Sequence, residues 1–120
     1  SGIPLMETGY LDVCPGMMIQ KTTTLFERAR GLLGRSALSP QEGLWIQPCW
    51  SVHTFFMSFT IDVVFLDAAG AIKKIAHGLA PNRVAVCFGA FTALELPSGI
   101  AGQLALEEGQ TIQWLSSKIA

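Results

Sequence analysis

The sequence carries little charge. Charged residues make up 14% of its 120 residues, and eight Lys and Arg nearly balance nine Asp and Glu. General nucleic-acid binding requires a strong basic excess, so this composition predicts no nucleic-acid partner. Half of the residues are hydrophobic and the net charge is −1, so the chain does not have the composition typical of disordered proteins.

We expect one globular domain over residues 17–120. It follows a lead-in over residues 1–16, which Pro and Gly make irregular.

Cysteine is scarce as well, with only Cys14, Cys49 and Cys87. An odd set of three is not a disulfide framework, and it leaves open either one disulfide with one thiol or three reduced thiols. Cys49 and His53 are four residues apart, but nothing marks an oxyanion hole for a Cys/His hydrolase. Paired metal-ligand spacings such as CxxC and HxxxH are missing, so the sequence predicts no metal and no cofactor.

A long uncharged stretch is present, but its composition does not suit a membrane. Residues 43–61 contain no Lys, Arg, Asp or Glu and approach the length of a transmembrane helix. The same stretch contains Pro48, His53 and several Ser, Thr and Gln side chains, which are costly in hydrocarbon. We predict no membrane span. The N-terminus has no basic region followed by an apolar run, which predicts a cytoplasmic protein.

Short strand-like segments dominate the rest of the chain. A capping box at Thr24 and Glu27 begins a helix over about residues 24–34, whose apolar residues repeat with helical spacing. A second capping pattern, Ser39 with Glu42, predicts one further helical turn. Strands are predicted at residues 17–19, 44–46, 61–66, 71–76, 84–88, 91–96 and 111–115. The predicted fold class is α+β and mostly β, with a small antiparallel sheet or partly closed barrel, one main helix and one or two short helical turns.

Three segments of the chain resemble a known prokaryotic family. They are residues 27–35 (ERARGLLGR), residues 53–57 (HTFFM) leading into residues 61–67 (IDVVFLD), and residues 94–99 (LELPSG). In this order and spacing they are similar to domain of unknown function 192, over about residues 17–115. The sequence differs in detail, with Leu33 where many members have Met and Ser98 where Ala is common. The resemblance implies a small, mostly β single domain and implies no activity.

Two carboxylates occur where burial is expected. Glu95 stands between apolar residues of a predicted strand, and a buried carboxylate needs a partner. It is a general acid or base, an anchor for a ligand amine, or one half of an ion pair with an arginine of residues 28–35, and we favour the ion pair. Asp62 lies at the strand over residues 61–66, where it orients His53, caps a turn or pairs with an arginine.

The other candidates for chemistry are basic, aromatic and hydroxyl side chains. His53 can transfer protons near neutral pH, although a hydrogen-bonded core histidine is the simpler interpretation. Thr54 lacks the N-terminal amine that a threonine nucleophile normally uses. The predicted ligand-binding set is Arg28, Arg30, Arg35, His53, Thr54, Phe55, Met57, Asp62 and Glu95, of which His53, Asp62 and Glu95 are the catalytic candidates.

Three functions fit these residues. The first hypothesis is a non-catalytic binding module whose polar pocket takes a small anionic or zwitterionic ligand or a peptide end. The second is a hydrolase or lyase that uses His53 with Asp62 or Glu95 as an acid–base pair. The third is a protein-interaction domain whose exposed apolar surface contacts a protein partner. A monomer and a homodimer are both compatible with the sequence.

Overall fold

The computed structural model describes residues 6–22 and 38–118, which are mostly β-strand. The elements in chain order are β1 (Met6–Leu11), β2 (Cys14–Thr22), β3 (Glu42–Ile46), β4 (Ser51–His53), β5 (Ile61–Leu66), β6 (Ile72–Leu79), β7 (Val84–Val86), β8 (Thr92–Pro97), α1 (Ile100–Gln103) and β9 (Trp114–Ser116). Every strand predicted from the sequence has a counterpart here. The helix predicted over about residues 24–34 lies outside the described residues.

Seven strands form one sheet in the order β6-β5-β8-β3-β2-β1-β9, and β4 pairs with β7 in a separate two-stranded sheet. The strand pairs are antiparallel except β2 with β3, which run parallel. The prediction of an antiparallel sheet is wrong for this pair. Parallel neighbours need a connection of a dozen or more residues, and residues 23–41 supply that length.

The main sheet is open, so the alternative of a partly closed barrel is wrong. Within the described residues, β6 and β9 stand at opposite ends of the strand order and are not hydrogen-bonded neighbours. An isolated bridge between Ala71 and Thr111 joins the segments that lead into these two strands.

Strand β5 shows how the core is divided. All six of its residues are buried, and alternate side chains point to opposite faces of the sheet. The first face packs against the C-terminal segment, in a cluster that includes Val64, Leu66, Leu94, Leu96, Ala101 and Ile112. The second face packs against the two-stranded sheet, in a cluster that includes Ile61, Val63, Phe65, Ala93, Val52 and Ala85.

Two local predictions are corrected by the structure. Residues 6–11, predicted to be irregular, form β1, because this strand pairs with β2 on one side and β9 on the other. The capping pattern at Ser39 and Glu42 makes both of its hydrogen bonds, from Gln41 N to Ser39 Oγ and from Ser39 N to Glu42 Oε1. No helical turn follows, since Glu42 already begins β3 and pairs with β2.

Candidate functional site

The carboxylate of Asp62 is engaged by three backbone N–H groups. Oδ1 accepts from Gly78 of β6 at 2.9 Å, and Oδ2 accepts from Gly99 and Ala101 at 3.0 Å each. The side chain is 1% exposed. Asp62 thereby ties the edge strand β6 and the start of α1 to the start of β5, through bonds to residues that are distant in sequence. The bonds to Gly99 and Ala101 fit the alternative in which Asp62 caps a turn.

Glu95 is also buried, but it lies on the other face of the sheet. Its cross-strand neighbours are Leu44 of β3 and Val63 of β5, whereas Asp62 faces Leu96. Since directly opposed residues share a face, Asp62 lies on the first face and Glu95 on the second. The structure therefore does not bring the two carboxylates into one pocket.

His53 lies on the exposed side of the two-stranded sheet. Its ring stacks on Phe55 with 5.0 Å between centroids, and Nδ1 accepts a hydrogen bond from Phe55 N at 3.3 Å. This sheet covers the second face, so His53 and Asp62 are on opposite sides of the main sheet. An acid–base pair of these two residues is not assembled. The prediction that His53 is a buried core residue is also wrong, because its side chain is exposed.

Thr54 is buried and holds two loops together. Its Oγ1 donates to Ala80 O at 2.6 Å and accepts from Arg83 N at 2.9 Å. Backbone bonds from Thr54 N to Arg83 O and from Asn82 N to Thr54 O complete the contact. The hydroxyl is thus committed to the loop before β7 rather than presented to a ligand.

Replacing Thr54 with valine should therefore lower the free energy of unfolding by about 2 kcal/mol, because the Ala80 carbonyl and the Arg83 N–H lose their partner in two partly buried hydrogen bonds. Urea unfolding followed by circular dichroism measures this change. Thr54→Ser keeps the hydroxyl and is the matched control, expected to cost less than about 1 kcal/mol. A loss for Thr54→Val no larger than the loss for Thr54→Ser would contradict the role that we assign to the hydroxyl.

Of the remaining predicted site residues, one lies on the second face of the sheet and three lie outside the described residues. Met57 is half-buried and packs against the cluster of the second face. The arginines Arg28, Arg30 and Arg35 lie outside the described residues.

A pocket of about 290 Å³ lies elsewhere, at the end of the main sheet where β2, β3 and β5 finish and β8 begins. Its walls combine aromatic and polar side chains. They include Lys21, Trp45, Gln47, Asp67, Phe91, Thr92 and Trp114.

The carboxamide of Gln47 has a fixed orientation in this pocket. Its Oε1 accepts from Trp45 Nε1 at 2.8 Å and from Thr92 Oγ1 at 3.0 Å. Both bonds engage the oxygen. Among the described residues no acceptor meets the NH₂ group, so its two donors are available to a ligand.

Lys21 and Asp67 add one charge of each sign. The Lys21 ammonium lies 5.0 Å from the centroid of the Trp114 ring, and the Trp114 indole N–H donates to Ile19 O at 2.9 Å. Asp67 Oδ1 accepts from Ala69 N and Ala71 N, which fixes the carboxylate at the turn between β5 and β6. The indole and the turn thus hold both charged groups beside the pocket.

The residues of this pocket were not among the predicted site residues. Trp45 is buried and Asp67 holds a turn, so each residue also has a structural role that conceals its place in the pocket. The available signal was polar residues placed directly after strands, as with Gln47 after β3 and Asp67 after β5. Trp114 reaches the pocket from the far end of the chain, and single-sequence patterns give no indication of that contact.

Three further features of the described residues bear on function. Cys14, Cys49 and Cys87 form no disulfide. Within residues 6–22 and 38–118, no group of three or more His, Cys, Asp and Glu could hold a metal ion. Over the same ranges, no helix has the length and apolar character needed to cross a membrane.

Comparison with known proteins identifies the fold in two crystal structures. One is a protein of unknown function from Novosphingobium aromaticivorans DSM 12444, with a TM-score of 0.74 and 20% identity over 91% of this chain and 84% of that chain. The other, from Sinorhizobium meliloti 1021, is described as a "putative transcription regulator", with a TM-score of 0.73 and 15% identity over 91% and 92% of the chains. At these identities the likeness concerns the fold alone. No curated protein matches the sequence.

The family predicted from the three sequence segments is confirmed. The model of DUF192, described as an uncharacterized ACR, matches residues 14–114. This match runs from the start of β2 to the start of β9 and so includes most of the sheet. The chain belongs to the DUF192 family.

Proposed function

We propose that this domain is a non-catalytic binding module for a small anionic or zwitterionic ligand that carries a flat apolar group. The pocket at the end of the main sheet is the proposed site. The observation that carries the proposal is the Gln47 carboxamide, which two donors hold in place while its own N–H donors stay available. A polar group fixed before binding loses little entropy when a ligand arrives, which favours recognition.

The donors of the pocket favour a carboxylate. Lys21 supplies a positive charge and Gln47 supplies two N–H groups. Hydrogen bonds between such donors and an ionised acceptor are stronger than neutral ones. Asp67 uses only Oδ1 for its backbone bonds, so Oδ2 can accept from a ligand ammonium. The pocket thus supplies complementary groups to both ends of a zwitterion.

The size and walls of the pocket favour a ligand about as large as an amino acid. A volume of about 290 Å³ is at the lower end for small-molecule sites. Trp114 and Phe91 supply aromatic rings to the wall, which a flat apolar group can contact.

Three predictions from the sequence stay part of this proposal. An ion pair between Glu95 and one of Arg28, Arg30 or Arg35 would stabilise a carboxylate that is buried on the second face. The proposed setting is the cytoplasm, and the partner is a small molecule rather than a nucleic acid.

Four small probes test the proposed chemistry by nuclear magnetic resonance. Phenylalanine carries both charges and a ring, benzoate a carboxylate and a ring, benzylamine an ammonium and a ring, and acetate a carboxylate alone. We expect phenylalanine and benzoate to shift the indole N–H signals of Trp45 and Trp114 at lower concentration than benzylamine or acetate. The signal of Trp50, which lies on the other layer, is the internal control.

Two substitutions then test the assigned contacts. Gln47→Glu keeps an oxygen for Trp45 and Thr92 but replaces the N–H donors with a negative charge, and Lys21→Met keeps the stem without the ammonium. Each should weaken benzoate binding about tenfold, the effect of losing one charge-assisted hydrogen bond. Lys118→Met, at an exposed position outside the pocket, is the matched control. Unchanged benzoate affinity in both pocket variants would contradict the proposal.

A further inference from the structure

The outer layer of the protein exposes an unusual amount of aromatic surface. We call Trp50, His53, Phe55, Phe56, Val84 and Phe88 the aromatic face. Phe56 is 86% exposed, Phe88 80% and Trp50 51%. Scattered exposed apolar residues are ordinary, but several large rings on one small sheet and its turns mark an interaction surface.

Four of these rings contact each other in two pairs. Trp50 and Phe88 lie 5.3 Å apart between ring centroids, and His53 stacks on Phe55. The two pairs stand at opposite ends of the two-stranded sheet, because Ser51 pairs with Val86 and His53 with Val84. The most exposed rings, Phe56 and Phe88, belong to the turns that follow β4 and β7.

The charged side chains that the described part of the structure places beside the aromatic face are basic. No Asp or Glu occurs from residue 68 to residue 94, and residues 43–61 are uncharged. Lys74 of β6 donates to Val86 O at 2.9 Å, and the Lys73 side chain runs close to Gly89. At the other end Arg83 is exposed and bonds through its backbone to Thr54. Cations therefore flank both ends of the aromatic face.

We propose that the aromatic face docks peripherally on an anionic lipid surface. Phe56 and Phe88 enter the interfacial region, and Lys73, Lys74 and Arg83 meet the phosphates of the headgroups. Aromatic rings beside cations are the combination that interfacial binding uses. Rings that are four-fifths exposed have few neighbours of their own, and a deformable lipid interface can surround them from every side. An acidic protein would instead need a matching pocket for each ring.

Flotation with lipid vesicles tests this inference and does not depend on the ligand pocket. The protein is mixed with neutral phosphatidylcholine vesicles or with vesicles containing about 30% phosphatidylserine. We expect it to float with the anionic vesicles only, and to be released as salt screens the cations. A blue shift of indole fluorescence on binding, reduced in Trp50→Phe, would place the aromatic face against the lipid.

Paired variants separate the contribution of the aromatic rings to vesicle binding from that of the cations. Phe56→Ser and Phe88→Ser change exposed turn positions and should each weaken vesicle binding about tenfold. Lys73→Glu and Lys74→Glu should each weaken it at least about fivefold, since one cation near an anionic surface contributes about that factor. Met18→Ser on β2 and Lys118→Glu near the C-terminal strand are the matched controls and should leave binding unchanged.

Several outcomes would overturn the inference. Equal flotation with neutral and anionic vesicles would show that the charges play no part. Absence of binding to anionic vesicles would rule the lipid surface out. If a soluble Glu-rich peptide with Leu residues bound the aromatic face while vesicles did not, the partner would be an acidic protein segment.

Discussion

Replacing Asp62 with alanine is expected to lower the free energy of unfolding by about 4 kcal/mol, one of the two largest effects expected for a single substitution in this protein. The side chain is 1% exposed, and three backbone N–H groups donate to its two oxygens. Alanine leaves these donors in a site from which water is excluded. Each hydrogen bond to a charged acceptor is worth about 1.5–3 kcal/mol, and relaxation around α1 recovers part of the loss.

The measurement is equilibrium unfolding in urea, with Asp12→Ala as the matched control. Asp12 is exposed and accepts a single bond, from Gln113 N at 3.1 Å. Its replacement should cost less than about 1 kcal/mol, since water can satisfy the freed N–H. A loss for Asp62→Ala no larger than for Asp12→Ala would contradict the role we assign to the three bonds.

A second substitution, Asp62→Asn, separates a structural role of Asp62 from a chemical one. Asp62 begins β5 and Asp67 follows its end, so about 16 Å of extended chain lies between Asp62 and the ligand pocket. Benzoate should therefore bind the folded fraction of Asp62→Asn as tightly as it binds the unchanged protein. Lost affinity in a folded Asp62→Asn protein would restore Asp62 to the candidate site.

The strands could be predicted because their signal is local. Residues 61–66 are apolar at nearly every position, and the structure buries all six of them in a strand with neighbours on both sides. The strand at residues 6–11 was missed because Gly and Pro around it are typical of turns, and its pairing with β9 depends on contacts more than one hundred residues away in sequence.

The candidate site was harder to predict than the strands. Sequence alone shows that Asp62 and Glu95 are acidic residues in apolar strands, but not which face of the sheet each one occupies. That depends on the register of β5 against β8, which pairs Asp62 with Leu96 and Val63 with Glu95. The pocket was missed for a related reason, because its residues come from the ends of strands that only the sheet order brings together.

The other large effect is expected at Gly9, where alanine should destabilise the fold by about 3 kcal/mol and disrupt the ligand pocket as well. A Cβ at this position would lie 2.3 Å from Leu115 O and 2.4 Å from Trp114 Cε2. One of the two clashes is with backbone, so a change of rotamer cannot relieve it. The backbone of β9 must therefore move away from β1, and the Trp114 indole must move as well.

The pocket should respond because Trp114 forms part of its wall and its ring lies next to the Lys21 ammonium. Gly9→Ala protein that still folds is expected to lose benzoate binding and to show a shifted Trp114 indole signal, with the Trp50 signal unchanged. Gly16→Ala is the matched control, since a Cβ there meets nothing within 4 Å. Equal stability of the two variants would contradict the close packing of β9 on β1. Benzoate binding that survives a displaced Trp114 would show that the indole is not needed, and recognition would then rest on Lys21 and the Gln47 carboxamide alone.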